Sequence, residues 1–196
     1  MTDLSIAIVT YNNERTIGAA LDSLLAHLPP DLVCRVIVID NGSSDRTLEI
    51  AGGYAGQIIL MKNERGNIGF GAAHNLLLRQ LDSRCHLIMN PDIHLNRASA
   101  IGALIQYLDQ HEDVGMTVPQ VLSLAGERQY LCRRDPTVMD LAVRFLPGQW
   151  MLGRQKRHTM QDHDYDRPFD VPFASGCFMM IRTALFQKLG GFDERF

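Results

Sequence analysis

Residues 4–10 (LSIAIVT) form an unbroken apolar run of strand length, and residues 11–14 (YNNE) turn polar at once. Ile17, Leu21, Leu24, Leu25 and Leu28 then recur at helical spacing until Pro29 and Pro30, which cannot continue a helix. The cycle repeats with a strand at 33–39 (VCRVIVI) running into the polar turn 40–45 (DNGSSD). A strand at 58–61, an Asn- and Gly-rich loop at 63–71 and a helix at 72–81 follow. Next come a strand at 86–89 that breaks into Asn90-Pro91-Asp92, a helix at 98–111 and a strand at 114–118. Strands alternating with helices predict an α/β fold with a mostly parallel sheet and helices on both faces. Such sheets bind ligands outside the carboxyl ends of their strands, so Tyr11, Asp40, Asn67 and Asp92 are expected to converge.

Beyond Pro119 the alternation fades into short apolar segments at 121–124 and 129–132 and a helix near 139–145. Residues 154–167 (RQKRHTMQDHDYDR) are dense in charge and poor in aliphatics, the composition of a surface loop, solvated or mobile over the site. Strand character returns over 169–181, and a short helix at 183–189 is expected to close on Gly190-Gly191.

Length changes this picture little: 196 residues suit one domain with a substantial core. A composition 46% hydrophobic and 21% charged, with a formal net charge of -3, fits a soluble globular protein and argues against a nucleic acid held by bulk charge. No apolar stretch approaches the roughly 20 residues of a membrane span, and Met1-Thr2-Asp3 lacks the basic start of a signal peptide, so the cytoplasm is the expected compartment. Cys34, Cys85, Cys132 and Cys177 are too dispersed for a zinc site or a disulfide framework.

Two carboxylates carry the candidate chemistry. Asp92 ends an apolar strand in a short turn, where a hard ion such as Mg2+ or Mn2+ could take it as one oxygen ligand and fill its shell from water and a diphosphate. Asn-Pro-Asp is also an ordinary turn sequence, the reading that its local chemistry favours. Asp40 sits at a strand end where it could accept hydrogen bonds from a base N–H or ribose hydroxyls, with Asn41-Gly42 permitting a sharp turn beside it. The same residues also read as a turn and helix cap. Gly66, Gly69 and Gly71 leave backbone open to a ribose or phosphate. A dinucleotide fingerprint is disfavoured because residues 69–74 (GFGAAH) miss its third glycine and the first strand turn has none. No Gly-x-x-x-x-Gly-Lys-Ser/Thr loop is present either.

Taken in order, residues 5–12 (SIAIVTYN), 38–45 (VIDNGSSD), 67–71 (NIGFG) with Asn75, 89–92 (MNPD) and 175–182 (SGCFMMIR) resemble inverting family 2 glycosyltransferases of the GT-A fold. The resemblance spans nearly the whole chain and points to the rhamnosyltransferase-like branch of bacterial cell-surface polysaccharide synthesis. It implies that Thr10, Tyr11 and Asn12 lie beside the nucleotide, that Asp40 holds the base or ribose, and that Asn67 and Gly69 line the pocket. It makes Asp92 the ligand of Mg2+ or Mn2+ and puts Asn90 where many relatives carry the first aspartate of Asp-x-Asp. Ser175 and Gly176 fall on the acceptor side. One GT-A domain is implied, with a donor part at 1–118 and an incomplete acceptor part at 119–196.

The implied reaction moves a sugar with inversion from dTDP-rhamnose or a UDP-sugar to a saccharide or lipid-linked saccharide, with peripheral contact at the inner membrane face. The family's base usually sits in a Glu-Asp motif several residues beyond the segment resembling 190–196, so the chain is expected to be truncated before its catalytic carboxylate. Asp193 and Glu194 match the segment that precedes the base and are not assigned to it. A sugar-nucleotide pyrophosphorylase is the competing enzyme class, although residues 10–15 (TYNNER) lack its glycine-rich basic loop. A non-catalytic nucleotide-sugar-binding protein is the third reading.

Overall fold

The computed structural model describes residues 2–97, 99–135 and 150–195. They form two compact units, one of Met1–Val118 with Gly176–Phe196, the other of Pro119–Ser175.

The first unit opens with β1 (Leu4–Thr10), α1 (Ile17–Ala26), β2 (Cys34–Asp40), α2 (Thr47–Gly52), β3 (Ile59–Lys62) and α3 (Phe70–Asn75). It continues with β4 (Cys85–Met89), α4 (Ser99–Gln110) and β5 (Met116–Thr117). The second unit holds β6 (Val121–Leu122), β7 (Arg128–Gln129), β8 (Cys132–Arg133), α5 (Trp150–His158) and β9 (Phe173–Ala174). The chain then returns to the first unit as β10 (Phe178–Arg182) and α6 (Thr183–Leu189).

The main sheet has the order β3-β2-β1-β4-β10-β5. Every pairing among β1 to β4 is parallel, while β10 runs antiparallel to both β4 and β5. All seven residues of β1 are buried because its two faces are both covered. Leu4, Ile6 and Ile8 join Val36, Val38, Leu87 and Met89 beneath α1 and α4, which contribute Ile17, Leu21, Leu24, Ile101, Ile105 and Leu108. Ala7, Val9, Ile37, Ile39 and Ile88 face the other way, toward Ala73 and Leu77 of the α3 region and Phe186 of α6. Each such aliphatic side chain contributes roughly 1.5–3 kcal/mol relative to exposure, so the central strands are the least yielding part of the unit.

Four expectations change. The strand expected at 114–118 shrinks to Met116–Thr117, where it meets β10 at the sheet edge. The helix expected at 72–81 begins at Phe70 and ends at Asn75, after which Leu77, Leu78 and Gln80 donate to carbonyls three residues back, the tighter 3-10 pattern. The strand character at 169–181 resolves into β9 and β10, separated by the turn around Gly176. The charged stretch 154–167 is a loop only after His158, because α5 runs through its first residues. Arg and Lys are good helix formers, and Lys156, Arg157 and His158 stand in the last turn, where basic groups complement the helix dipole. The rest of that stretch balances its charge inside the second unit: Arg134 grips Asp162 at 2.9 and 3.0 Å, and Arg128 meets Asp166 at 3.3 Å. The helix expected at 139–145 lies outside the described residues.

Gly190 closes α6 in the left-handed conformation with φ +80°, and the Gly191 N–H reaches back to the Phe186 carbonyl at 3.0 Å. A Cβ on Gly191 would lie 2.1 Å from Asn75 Oδ1. That clearance lets the Asn75 carboxamide accept from Phe192 N–H at 2.9 Å and donate to the Phe192 carbonyl at 2.8 Å, tying residues 192–194 to α3.

His74 and His86 are fully buried on the α3 face of the sheet. Among the described residues both ring nitrogens of His74 lack partners, as does Nε2 of His86, whose Nδ1 is 2.8 Å from Ser5 Oγ. Burial pushes His74 down to about 3, with the neighbouring His86 adding to the effect, and burial likewise takes His86 down to about 4. Unfolded histidines titrate near 6.5, so as pH falls below that value the unfolded chain binds protons the native chain refuses. Stability from these two groups is therefore complete above about pH 6.5 and is lost as pH falls toward the folded values, by up to about 1.4 kcal/mol per pH unit for each. Urea midpoints measured at pH 7.5, 6.0 and 5.0 should fall steadily, and His74→Leu should flatten the slope by removing one of the two titrations. An unchanged slope in the variant would show that His74 is not buried in its neutral form.

Candidate functional site

Parallel pairing puts the carboxyl ends of β1, β2, β3 and β4 on one rim of the sheet. Thr10 and Asp40 are register partners, the Asn41 N–H donates to the Thr10 carbonyl at 2.8 Å, and the Asn63 N–H donates to the Asp40 carbonyl at 2.8 Å. The loops after β1, β2 and β3 therefore leave the sheet side by side. The turn after β4 joins the same rim, since β4 is the parallel neighbour of β1.

The first two loops are laced together. Asn12 has φ +54°, a conformation Asn tolerates, and its N–H donates to Ser43 Oγ at 3.0 Å while its Oδ1 accepts the Ser44 N–H at 2.9 Å. Asn13 N–H donates to Thr47 Oγ1 at 2.7 Å, Glu14 N–H to Asp45 Oδ2 at 3.1 Å, and Arg46 N–H returns a bond to Glu14 Oε2 at 3.1 Å. Thr10 is fully buried, its hydroxyl donated to Asn13 Oδ1, so it shapes the loop from below, whereas Tyr11 stands 44% exposed above it.

Asp40 is a buried carboxylate at the rim. It has no exposure, its Oδ2 accepts the Ser43 N–H at 3.2 Å, and its Oδ1 has no partner among the described residues. A buried acceptor left unpaired costs on the order of 1–3 kcal/mol, a debt that an incoming N–H or O–H would cancel. Reaching that oxygen requires displacing the loop atoms that cover it. Beside it, Gly42 has φ +87°, and a Cβ there would stand 2.7 Å from Gly66 Cα and 3.2 Å from the Asn67 backbone nitrogen. Only glycine lets the third loop approach the Asp40 turn so closely.

Asn67 and Gly69 are exposed in that third loop. Asn90 is half-buried at the end of β4, its N–H donated to the Cys177 carbonyl at 2.8 Å, and Asp92 is exposed two residues further on. That bond brings the turn at Gly176 to Asn90, and a Cβ on Gly176 would lie 3.4 Å from the Phe70 ring, so Gly176 also meets the start of α3. Ser175 is the last residue of the second unit. Among the described residues no group of three or more His, Cys, Asp and Glu could hold a metal unaided. One exposed carboxylate with a neutral amide two residues before it suits Mg2+ or Mn2+, which complete their shells with water and phosphate oxygens. Sequence reading gave Asn41 only a part in the turn with Gly42 and assigned no role to Asn13 or Asn63, although all three anchor the loops. An asparagine just beyond β1, β2 and β3 was the available signal.

Comparison with known proteins now decides the family, because the glycosyl transferase family 2 model matches residues 5–190. The chain belongs to glycosyl transferase family 2. This family 2 chain is 26% identical over its full length to the N-acetylglucosaminyl-diphospho-decaprenol L-rhamnosyltransferase of Mycobacterium tuberculosis, spanning 67% of that protein. It is 27% identical to the rhamnosyltransferase WbbL of Escherichia coli K12, with 96% of this chain and 70% of WbbL aligned. The poly(ribitol-phosphate) beta-N-acetylglucosaminyltransferase TarS of Staphylococcus aureus is 29% identical over 58% of this chain, a match spanning 20% of TarS. In structure, the mannosyltransferase PcManGT of Pyrobaculum calidifontis, in complex with GDP-Man and Mn2+, superimposes with a TM-score of 0.69 at 18% identity. That superposition covers 99% of this chain and 50% of PcManGT. TarS residues 1–349 give a TM-score of 0.63 at 20% identity, over 98% of this chain and 50% of theirs. The mostly parallel sheet with helices is thus the GT-A fold of these transferases. The chain spans about half the length of the solved structures it matches.

Proposed function

We propose that this family 2 chain supplies the donor site of an inverting hexosyltransferase of cell-surface polysaccharide synthesis. The donor would be dTDP-rhamnose or a UDP-sugar, and the acceptor a saccharide or lipid-linked saccharide. One observation carries the donor site: Asp40 Oδ1 is buried without a partner among the described residues where the loops after three parallel strands meet. An N–H or O–H of a nucleoside satisfies it. Residues 1–118 form the donor part in this reading, and the acceptor part includes Ser175 and Gly176. Similarity to two rhamnosyltransferases favours rhamnose.

Asp92, with Asn90 as a neutral neighbour, would hold Mg2+ or Mn2+ against the diphosphate. The bound ion would neutralise charge on the departing nucleoside diphosphate. Asp40 and the loop around Asn67 orient the nucleotide, and the Gly176 turn against Phe70 shapes the rim where an acceptor would approach. Among the described residues no helix is long and apolar enough to cross a membrane, and a cytoplasmic protein in peripheral contact with the inner membrane face fits a lipid-linked acceptor. Family 2 membership sets the pyrophosphorylase reading aside.

Calorimetric titration with dTDP-rhamnose, UDP-GlcNAc and GDP-mannose, each with and without Mn2+, tests the donor site. One donor should bind, and more tightly with the ion. Failure of all three under both conditions would remove the donor-site reading and leave the fold alone.

A further inference from the structure

Phe70 begins α3 and remains 38% exposed, although an aromatic ring gains by leaving water. Single exposed rings are ordinary on a protein surface, but this one is held in place from two directions and kept bare in a third. Along the chain, Asn63 Nδ2 donates to Asn41 Oδ1 at 2.9 Å, and Asn41 Nδ2 donates to Asn67 Oδ1 at 3.0 Å and to the Gly69 carbonyl at 3.4 Å. The residue before Phe70 is therefore fastened to the Asp40 turn. From the core, the rings of His74 and Phe192 meet Phe70 edge to face at 4.5 and 5.6 Å between centroids, both inclined at 66°. In the third direction stands Gly176, where a Cβ would lie 3.4 Å from Phe70 Cε1 and 3.6 Å from Cζ. Any side chain at 176 would set carbon against the far edge of the ring, and glycine leaves that edge uncovered.

The ring thus neighbours both ends of the proposed donor site. On one side is the Asp40 turn, and on the other the Gly176 turn, where the Cys177 carbonyl accepts the Asn90 N–H at 2.8 Å, two residues before Asp92. A phenyl ring offers no hydrogen bond, but its negative π face attracts weakly positive C–H groups, and a hexopyranose presents a surface of carbon-bound hydrogens. Because His74 and Phe192 already set the orientation of the ring, such a contact would order no further side chain. We infer that Phe70 is the sugar platform of this rim, its ring packed against the C–H surface of a hexose, and that Gly176 keeps the ring open to it. The inference rests on the donor-site reading and adds a contact to the sugar, which neither Asp40 nor Asp92 supplies. The hexose is either the one carried by the nucleotide or the terminal residue of the acceptor, since both present the same C–H surface.

Phe70→Leu keeps most of the apolar volume and removes the ring, while Phe70→Tyr keeps the ring. The whole chain is titrated in Mn2+ with dTDP-rhamnose, UDP-GlcNAc and GDP-mannose, and with dTDP, UDP and GDP. Phe70→Leu should weaken the nucleotide sugar that binds by about threefold to tenfold and leave its diphosphate at parent affinity. Phe70→Tyr should match the parent for both. That split places the ring on the sugar of the donor. In the parent, the Phe70 ring resonances should also move with the nucleotide sugar and stay in place with the diphosphate alone. If Phe70→Leu binds the nucleotide sugar as the parent does, and methyl rhamnoside or methyl N-acetylglucosaminide moves the Phe70 resonances of the nucleotide-loaded parent, the ring serves the acceptor sugar. Resonances unmoved by nucleotide sugar and glycosides alike would overturn the inference whatever the variants do. An equal loss of nucleotide sugar and diphosphate in Phe70→Leu would also overturn it, reducing Phe70 to a support of the third loop and leaving the donor site standing. No nucleotide binding by the parent would overturn both readings.

Discussion

Asp40→Asn should reduce nucleotide affinity by about tenfold to a hundredfold while leaving the folded chain near its parent stability. Ser43 N–H claims one side-chain atom and can bond only to oxygen, so the new amide must turn its NH2 to where Oδ1 now lies. A nucleoside N–H or O–H arriving there would meet a donor instead of an acceptor. The substitution keeps the volume of the side chain and so isolates polarity from packing. Calorimetry without metal gives the affinity, and a urea titration gives the stability. Parent-like affinity would reduce Asp40 to a turn residue, and the proposed donor site would lose its main support.

The second large effect is expected at Asp92. Because its side chain is exposed in a turn, Asp92→Ala should change stability by no more than about 0.5 kcal/mol. It should nevertheless abolish the gain in donor affinity that Mn2+ brings, leaving binding at the metal-free level. Asn90→Asp makes the complementary change by adding a second carboxylate to the turn, and should tighten the metal dependence. Donor titrations across a Mn2+ series check both variants. A metal response in Asp92→Ala equal to that of the parent would place the ion elsewhere.

The two substitutions act on different parts of the donor. In the proposed site Asp40 would address the nucleoside without help from an ion, and Asp92 would act only through one. A double variant should therefore lose the sum of the two effects, as expected for sites with no shared partner. The same proposal would account for an asparagine at position 90: the diphosphate and water would bring most of the oxygen ligands, and a single carboxylate would suffice to locate the ion.

Much of this arrangement could be read along the chain. The unbroken apolar runs at 4–10 and 33–39 mark strands buried on both faces, and the burial of β1 and β2 follows that pattern. The helical spacing of Ile17, Leu21 and Leu24 identified the side of α1 that meets the sheet. Polar turns directly after strands located the rim, since a parallel sheet collects the carboxyl ends of its strands on one side. Residues 154–158 were misjudged because charge density was weighed above the helix propensity of Arg and Lys. Strand β10 gave no sign of its direction, because an apolar run reads the same in either orientation.

Local order thus determined which segments are strands, which face of each helix is apolar, and that Asp40 and Asp92 stand at strand ends. Those properties depend on side-chain period and on turn chemistry, both of which act over a few residues. Only the tertiary structure decided the strand order, the antiparallel insertion of β10 between β4 and β5, and the seating of Gly66 against Gly42. It alone oriented the amides of Asn41, Asn63 and Asn67, and left Asp40 Oδ1 buried without a partner among the described residues. These features arise where chain segments 20 or more residues apart close upon one another, as in the bond from Asn41 to Asn67 with a separation of 26. Hydrogen-bond polarity at such a junction is set by the backbone group each segment happens to offer, and no pattern within either segment records it.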